Sequence, residues 1–304
     1  MNMPTDLNFI TVIRAAGERT KDVCKQLVLQ ELPEKDVHVI ECTPFEEALR
    51  ESYRIGINSQ KKWMITIDAD VLPRKGFIHE IQSLTENLPD TLFTFKAMIF
   101  DKLFLTHRMA GFRVYRNKYL GTAIDLVPED GMEIRPESYT IRKMAEMGFK
   151  TKVFEYVMGV HDYEQYYRDI YRKAYFHAAK HTGQVAESLT LWKEKSESDP
   201  DYRVALKGAI DGLLTADEPK PDIRFFESIS EKAVKELNLA EKSEADTDHI
   251  SNLVNEILVE TGEFHKEHTL SGIRKKVKTM GLIKGSLHTM GYFLETAGAN
   301  LKRS

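Results

Sequence analysis

The chain has 304 residues, 42% of them hydrophobic and 30% charged, with a formal net charge of -4. That balance belongs to a soluble globular protein of one large or two ordinary domains, and it excludes a general nucleic-acid binder. Two cysteines, Cys24 and Cys42, are too few for a disulfide framework or a zinc site.

In chain order, LNFITVIRA (7–15) is apolar and β-branched and predicts a first strand. Residues 18–32 set Val23, Leu27 and Leu32 on one helical face. DVHVIEC (36–42) predicts a second strand. TPFEEALRESYRIGI (43–57) predicts a helix with Thr43 as N-cap, Pro44 at the first helical position and Glu46 closing a capping box. KWMITID (62–68) predicts a third strand. Strands alternating with helices predict a parallel sheet with helices on its faces. Between about 90 and 160, TLFTFKAMIF and FKTKVFEYVMGV predict strands, and PESYTIRKMAEMG predicts a helix that stops at Gly148. From Tyr163 the chain reads helical: Tyr163, Tyr166, Tyr167, Ile170, Tyr171, Ala174 and Ala178 form one stripe. That stripe predicts a packing face against the sheet, or rings that stack on sugars. After a polar break, TADEPKPD (215–222), helices are expected near 224–239 and 246–262.

Residues 266–304 carry eight Lys/Arg and two Glu, a net of +6, which leaves -10 on the remainder. Mixed with apolar side chains, they predict either a packed last helix or an anchor on an anionic lipid surface. The glycines at 272, 281, 285 and 291 weigh against one long helix. The N-terminus lacks the charged start and apolar core of a signal peptide, and no apolar run reaches the roughly 18–20 residues that span a bilayer. The expected location is cytoplasmic, with a possible peripheral place on the inner face of the membrane.

The segment WMITIDADVLP ends an apolar strand on Asp68 and Asp70. Ligands of open α/β sheets sit outside the carboxyl ends of the strands. Two carboxylates there repel unless solvent or a cation compensates. Hard oxygens suit Mg²⁺ or Mn²⁺ bridged to a diphosphate; two solvated turn aspartates are the plainer reading. VIRAAGERT, YRIGINSQKKWMITIDAD and RPESYTIRKMAEMGFKTKVFEYVMGVH together resemble a GT-A glycosyltransferase of the family-2 type, over about residues 7–162.

The resemblance implies an α/β, GT-A (Rossmann-like) fold, with a mostly parallel sheet flanked by helices and a helical C-terminal region. It implies a nucleotide-sugar-binding catalytic domain at 1–162, a helical region at 163–265 and a basic tail at 266–304. The implied activity is metal-dependent transfer of a sugar from a UDP- or GDP-sugar to a carbohydrate or lipid-linked acceptor, inverting, in surface polysaccharide or glycolipid synthesis. Asp70 would lie on the Mn²⁺ or Mg²⁺, Asp68 towards the metal or ribose, and His161 would be a further ligand. Glu41 would hold the base, where the family has aspartate. Arg14 and Arg54 would meet the nucleotide, and Glu137 would be the general base, with Asp130 its rival. Ile55 stands where asparagine is usual. Two alternatives remain: a haloacid-dehalogenase-like phosphatase using Asp68 and Asp70, although Leu72 departs from that motif, and a non-catalytic sugar-nucleotide-binding homologue.

Overall fold

A computed structural model describes residues 7–133, 135–180, 185–215 and 223–260. The first half runs β1 (Phe9–Arg14), α1 (Lys21–Leu29), β2 (Val37–Ile40), α2 (Phe45–Asn58), β3 (Trp63–Asp68), β4 (Val71–Pro73), α3 (Phe77–Thr85), β5 (Leu92–Asp101), β6 (Thr106–Arg108) and β7 (Phe112–Arg116). It continues through α4 (Leu120–Ile124), α5 (Pro136–Glu146), β8 (Lys150–His161), α6 (Tyr167–Lys180), α7 (Val185–Lys195), α8 (Pro200–Leu214), α9 (Ile223–Glu236) and α10 (Thr247–Glu260). The strands form one sheet in the order β2-β1-β3-β7-β5-β8-β4, with β6 on β5. Along that path β2, β1, β3, β5 and β8 point one way, and β7 and β4 oppose them. The expected α/β class, a mostly parallel sheet flanked by helices, is what the chain builds.

Alternation along the strands sorts the core onto two faces. Phe9, Ile13, Ile65 and Ile67 pack with Val23 and Leu27 of α1 and with Ile250, Val254 and Leu258 of α10. Ile10, Val12, Met64 and Phe93 pack on the other face with Leu49 and Tyr53 of α2 and Met144 of α5. A third cluster belongs to the helices: Tyr167, Ile170, Tyr171, Ala174 and Ala178 of α6 meet α7, α8 and α9.

From Tyr167 on, the stripe therefore faces other helices, not the sheet as expected, while Tyr163, which with Tyr166 precedes α6, packs against the core of the sheet. The reason is α8, whose Gly208 and Gly212 carry no side chain to hold α6 away. A Cβ on Gly208 would stand 2.5 Å from the Tyr171 carbonyl oxygen, so the backbones touch.

The start of α2 also differs from expectation. Pro44, with ψ 178°, is extended and sits at the N-cap, so Thr43 lies outside the helix and no side chain caps it. Glu46 is buried and accepts from the Gly131 N–H at 3.3 Å instead of closing a capping box. β7 was not anticipated: FRVYR alternates arginine with apolar residues, yet all five residues are buried. Arg116 is absorbed by the Leu92 carbonyl at 3.1 Å, by Asp90, and by stacking over Trp63 at 4.4 Å. The 266–304 tail lies outside the described residues. Among those described, no helix is long and apolar enough to cross a membrane.

Candidate functional site

Two clusters of charge form where strands end. In the first, parallel pairing of β1 with β3 puts Arg14 beside Asp68 in register. Arg14 Nε and Nη2 both stand 2.8 Å from Asp68 Oδ1, and Nη1 donates to Glu137 Oε1 at 2.9 Å. Glu137 lies in the first turn of α5, whose first helical residue is Pro136. β7 supplies the rest: the Tyr115 hydroxyl donates to Glu137 Oε1 at 2.7 Å, and Arg113 Nε is 3.2 Å from Oε2. Two arginines thus balance two carboxylates. Burial alone would raise the Glu137 carboxyl, but Arg113 and Arg14, with the Tyr115 hydrogen bond, hold it well below the usual carboxylate range. Burial pushes Asp68 above its ordinary value, and nearby Asp70 adds to this, against the pull of Arg14. Behind Asp68, Gly111 has φ +57°, and a Cβ there would lie 3.2 Å from Asp68 Oδ2 and closer still to Val71. A side chain at 111 would push into the aspartate loop.

In the second cluster, parallel pairing of β5 with β8 puts Asp101 beside His161, and the Asp162 N–H donates to the Asp70 carbonyl at 3.2 Å. His161 Nδ1 stands 2.7 Å from Asp101 Oδ2 and 3.0 Å from Asp162 Oδ2, while Nε2 is 3.6 Å from Asp70 Oδ1. Burial opposes the imidazolium, but Asp162 and Asp70 outweigh it and carry His161 up to about 10. Arg108 of β6 reaches Asp101 at 2.5 Å. Lys173 of α6 bridges Asp70 and Asp162. A cavity of about 380 Å³ opens here, lined by Phe104, Arg108, His161, Asp162, Arg172 and Lys173 among others.

Asp70, His161 and Asp162 each offer a ligand atom within 4.8 Å of the others. Asp70 Oδ1 is buried and accepts no hydrogen bond, while Asp162 Oδ2 is held by His161 Nδ1 at 3.0 Å. Two carboxylate oxygens and one imidazole nitrogen suit a divalent ion such as Mn²⁺ or Mg²⁺. The side chains present therefore fit such an ion.

No protein-family model matches the chain, and no curated protein sequence matches it. Among solved structures, it is similar to a glycosyltransferase involved in glycosylation of the major capsid of the virus PBCV-1, at 14% identity over 50% of this chain and 82% of that one, with a TM-score of 0.35. It is similar to mannosyltransferase PcManGT from Pyrobaculum calidifontis, solved with GDP-Man and Mn²⁺, at 10% identity over 83% and 80%, TM-score 0.39. A third likeness is to 4-diphosphocytidyl-2C-methyl-D-erythritol synthase from Anaerococcus prevotii, at 11% identity over 48% and 86%, TM-score 0.34.

Of the residues expected at a site, the structure gathers Arg14, Asp68 and Glu137 in one cluster and Asp70 and His161 in the other. Glu41 is 58% exposed and paired with Lys21. Arg54 lies on the open side of α2, paired with Glu47 and Glu51. Asp130 is exposed in the turn that Met132 N–H closes on the Glu129 carbonyl. Sequence reasoning missed Asp101, Asp162, Lys173, Arg113 and Tyr115. Asp162 alone had a nearby signal, as the neighbour of His161.

Glu18 was missed as well. It lies in the loop after β1, accepts from the Ala16 N–H at 2.5 Å, and is raised to about 7 by burial and by Asp70. The same loop is pinned over the aspartates by the Thr20 hydroxyl, which donates to the Ala69 carbonyl at 2.8 Å.

Proposed function

We propose that the protein is a glycosyltransferase that moves a sugar from a nucleoside-diphosphate sugar to an acceptor hydroxyl with the help of Mn²⁺ or Mg²⁺. The observation that carries the reading is the meeting of Asp70 with His161 and Asp162 at the carboxyl end of the sheet, with the buried Oδ1 of Asp70 lacking a hydrogen bond. Asp70, His161 and Asp162 would hold the ion, which when bound neutralises a departing diphosphate. Asp68, fixed by Arg14, would lie towards the ribose or the metal. A single displacement at the anomeric carbon would invert its configuration.

The attacking hydroxyl must give up its proton to a carboxylate within hydrogen-bond reach. Glu137 is assigned that part, with Arg14 and Arg113 fixing its position. The same arginines make it a weak base while both hold it. Glu18 is the second candidate, a carboxylate in the loop that Thr20 pins over the aspartates. The phosphatase alternative needs Asp68 as a nucleophile, and Arg14 occupies Oδ1. Transfer to a lipid-linked or polysaccharide acceptor rests on the charge of the 266–304 tail.

The test is nucleotide binding with and without Mn²⁺. Asp70→Ala is expected to abolish the Mn²⁺-dependent part of UDP or GDP affinity in a folded protein. Unchanged metal-dependent affinity in that variant defeats the reading, as does turnover of phosphate monoesters without any nucleotide sugar.

A further inference from the structure

The carboxylates that would hold the ion already have a cation between them. Lys173 Nζ, from the second turn of α6, contacts Asp70 Oδ2 and Asp162 Oδ1, and no other lysine reaches either aspartate among the described residues. Asp162 is 1% exposed, Asp70 10% and Lys173 24%, so the contact is shielded from solvent. The oxygens divide cleanly. Oδ2 of Asp70 and Oδ1 of Asp162 serve the ammonium, while Oδ1 of Asp70 and Oδ2 of Asp162 turn to His161, at 3.6 Å from Nε2 and 3.0 Å from Nδ1. One half of each carboxylate is satisfied by a tethered monovalent cation, and the other half lies beside the His161 ring, the third group that would hold a divalent ion.

An ammonium and a divalent ion a few ångströms apart repel, and the repulsion is strong where water is scarce. Both draw on the same two negative charges. An ion entering this centre must therefore displace Lys173 or bind weakly beside it. The side chain has somewhere to go, because the cavity of about 380 Å³ adjoins it. That cavity is rich in cations: Arg108, Arg172 and Lys180 also line it, with Asp162 the only carboxylate among its lining residues. A displaced ammonium would be at ease there only beside an anion.

We propose that Lys173 is a tethered counter-ion that holds the place of the divalent metal in the free protein, so that metal and the anionic diphosphate of a donor load together. The consequence is weak metal binding in the absence of nucleotide and strong coupling when it is present. Coupling of this kind is reciprocal: nucleotide tightens metal by the same factor that metal tightens nucleotide. The inference rests on the proposed metal centre, but its readout is metal affinity and is independent of sugar transfer.

The experiment titrates Mn²⁺ into the full-length protein and follows the paramagnetic resonance signal of the free ion. Without nucleotide, Lys173→Met is expected to bind Mn²⁺ at least about tenfold tighter than wild type, a step of ~1.4 kcal/mol. Lys173→Arg, which keeps a cation, should stay as weak as wild type. Adding UDP or GDP should tighten Mn²⁺ strongly in wild type and much less in Lys173→Met. A gain in affinity is the opposite of what damage to a structural ion pair produces, and Lys173→Arg shows whether charge or fit is responsible. Lys173→Met and wild type binding Mn²⁺ equally, or wild type binding tightly with no nucleotide, overturns the proposal. If Lys173→Met gains affinity as expected while no nucleotide sugar is turned over, the counter-ion role stands and the transferase reading falls.

Discussion

Glu137 shows what charge does at a single residue. Its carboxylate is buried with Arg14, Arg113 and Tyr115 as donors, and removing a partner from such a group leaves charge uncompensated. The folded carboxyl lies below its unfolded value. Its contribution to stability is therefore complete above the unfolded pKa of roughly 4.3 and is withdrawn as pH falls below it. Wild type should lose melting temperature progressively as pH falls below about 4.3, because there the unfolded chain takes up a proton that folded Glu137 does not. Glu137→Gln should start lower and decline less over the same interval. Parallel acid slopes for the two proteins, followed by thermal unfolding, would show that the arginines do not depend on this charge. In the transferase reading the same variant slows transfer roughly 10²-fold, the usual scale for a general base, while donor binding survives. If Glu18→Gln is the damaging change and Glu137→Gln is mild, the proton goes to Glu18.

Among the elements, the α6–α8 pair matters most, because α6 carries Lys173 to the aspartates. The pair is built on absent side chains. Gly208 and Gly212 sit one turn apart and let the helices approach until a Cβ would meet the carbonyls of Tyr171 and Tyr175. A backbone cannot rotate aside as a side chain can, so added bulk must push the helices apart. Gly208→Ala is expected to destabilise the protein by ~1–3 kcal/mol, the usual cost of overpacking, despite the better helix propensity of alanine. Urea unfolding measures it, and a stabilised or neutral variant would mean the helices do not touch here. Because Lys173 lies between Tyr171 and Tyr175 on α6, the same variant should also perturb Mn²⁺ affinity.

For the whole molecule, charge is distributed unevenly. Residues 266–304 hold a net of +6 and the rest holds -10. In the proposed function this tail brings the protein to an anionic surface bearing its acceptor. Each basic residue near such a surface contributes ~1 kcal/mol, fading within a Debye length. Vesicles containing anionic lipid should sediment the full-length chain at low salt and release it at high salt. Deleting residues 266–304 should abolish that binding and leave nucleotide affinity unchanged. Equal sedimentation of both chains removes the link to a lipid surface. The acidic body makes the contrast sharp, since it is repelled by the surface that attracts the tail.

The alternation of strand and helix in the first 70 residues was legible because it depends on neighbours within a few positions: β-branched runs such as FITVIR and the amphipathic spacing of 45–58. So was the position of Asp68 and Asp70 at a strand end, and the start of α5 at Pro136 with Glu137 in its first turn. β7 was hidden because Arg113 and Arg116 interrupt its apolar pattern, and only ion pairs and stacking made later in the fold allow arginines there. The partners of the aspartates were hidden for a different reason. Asp101 stands 60 residues from His161, and Lys173 is 103 residues from Asp70. No local period encodes such distances; strand register and helix packing set them. The chain's own order thus determined where a pair of carboxylates would be presented. Tertiary structure decided what they face, because Asp68 went to an arginine on a neighbouring strand, while Asp70 went to a histidine, an aspartate and a lysine that only folding brings within reach.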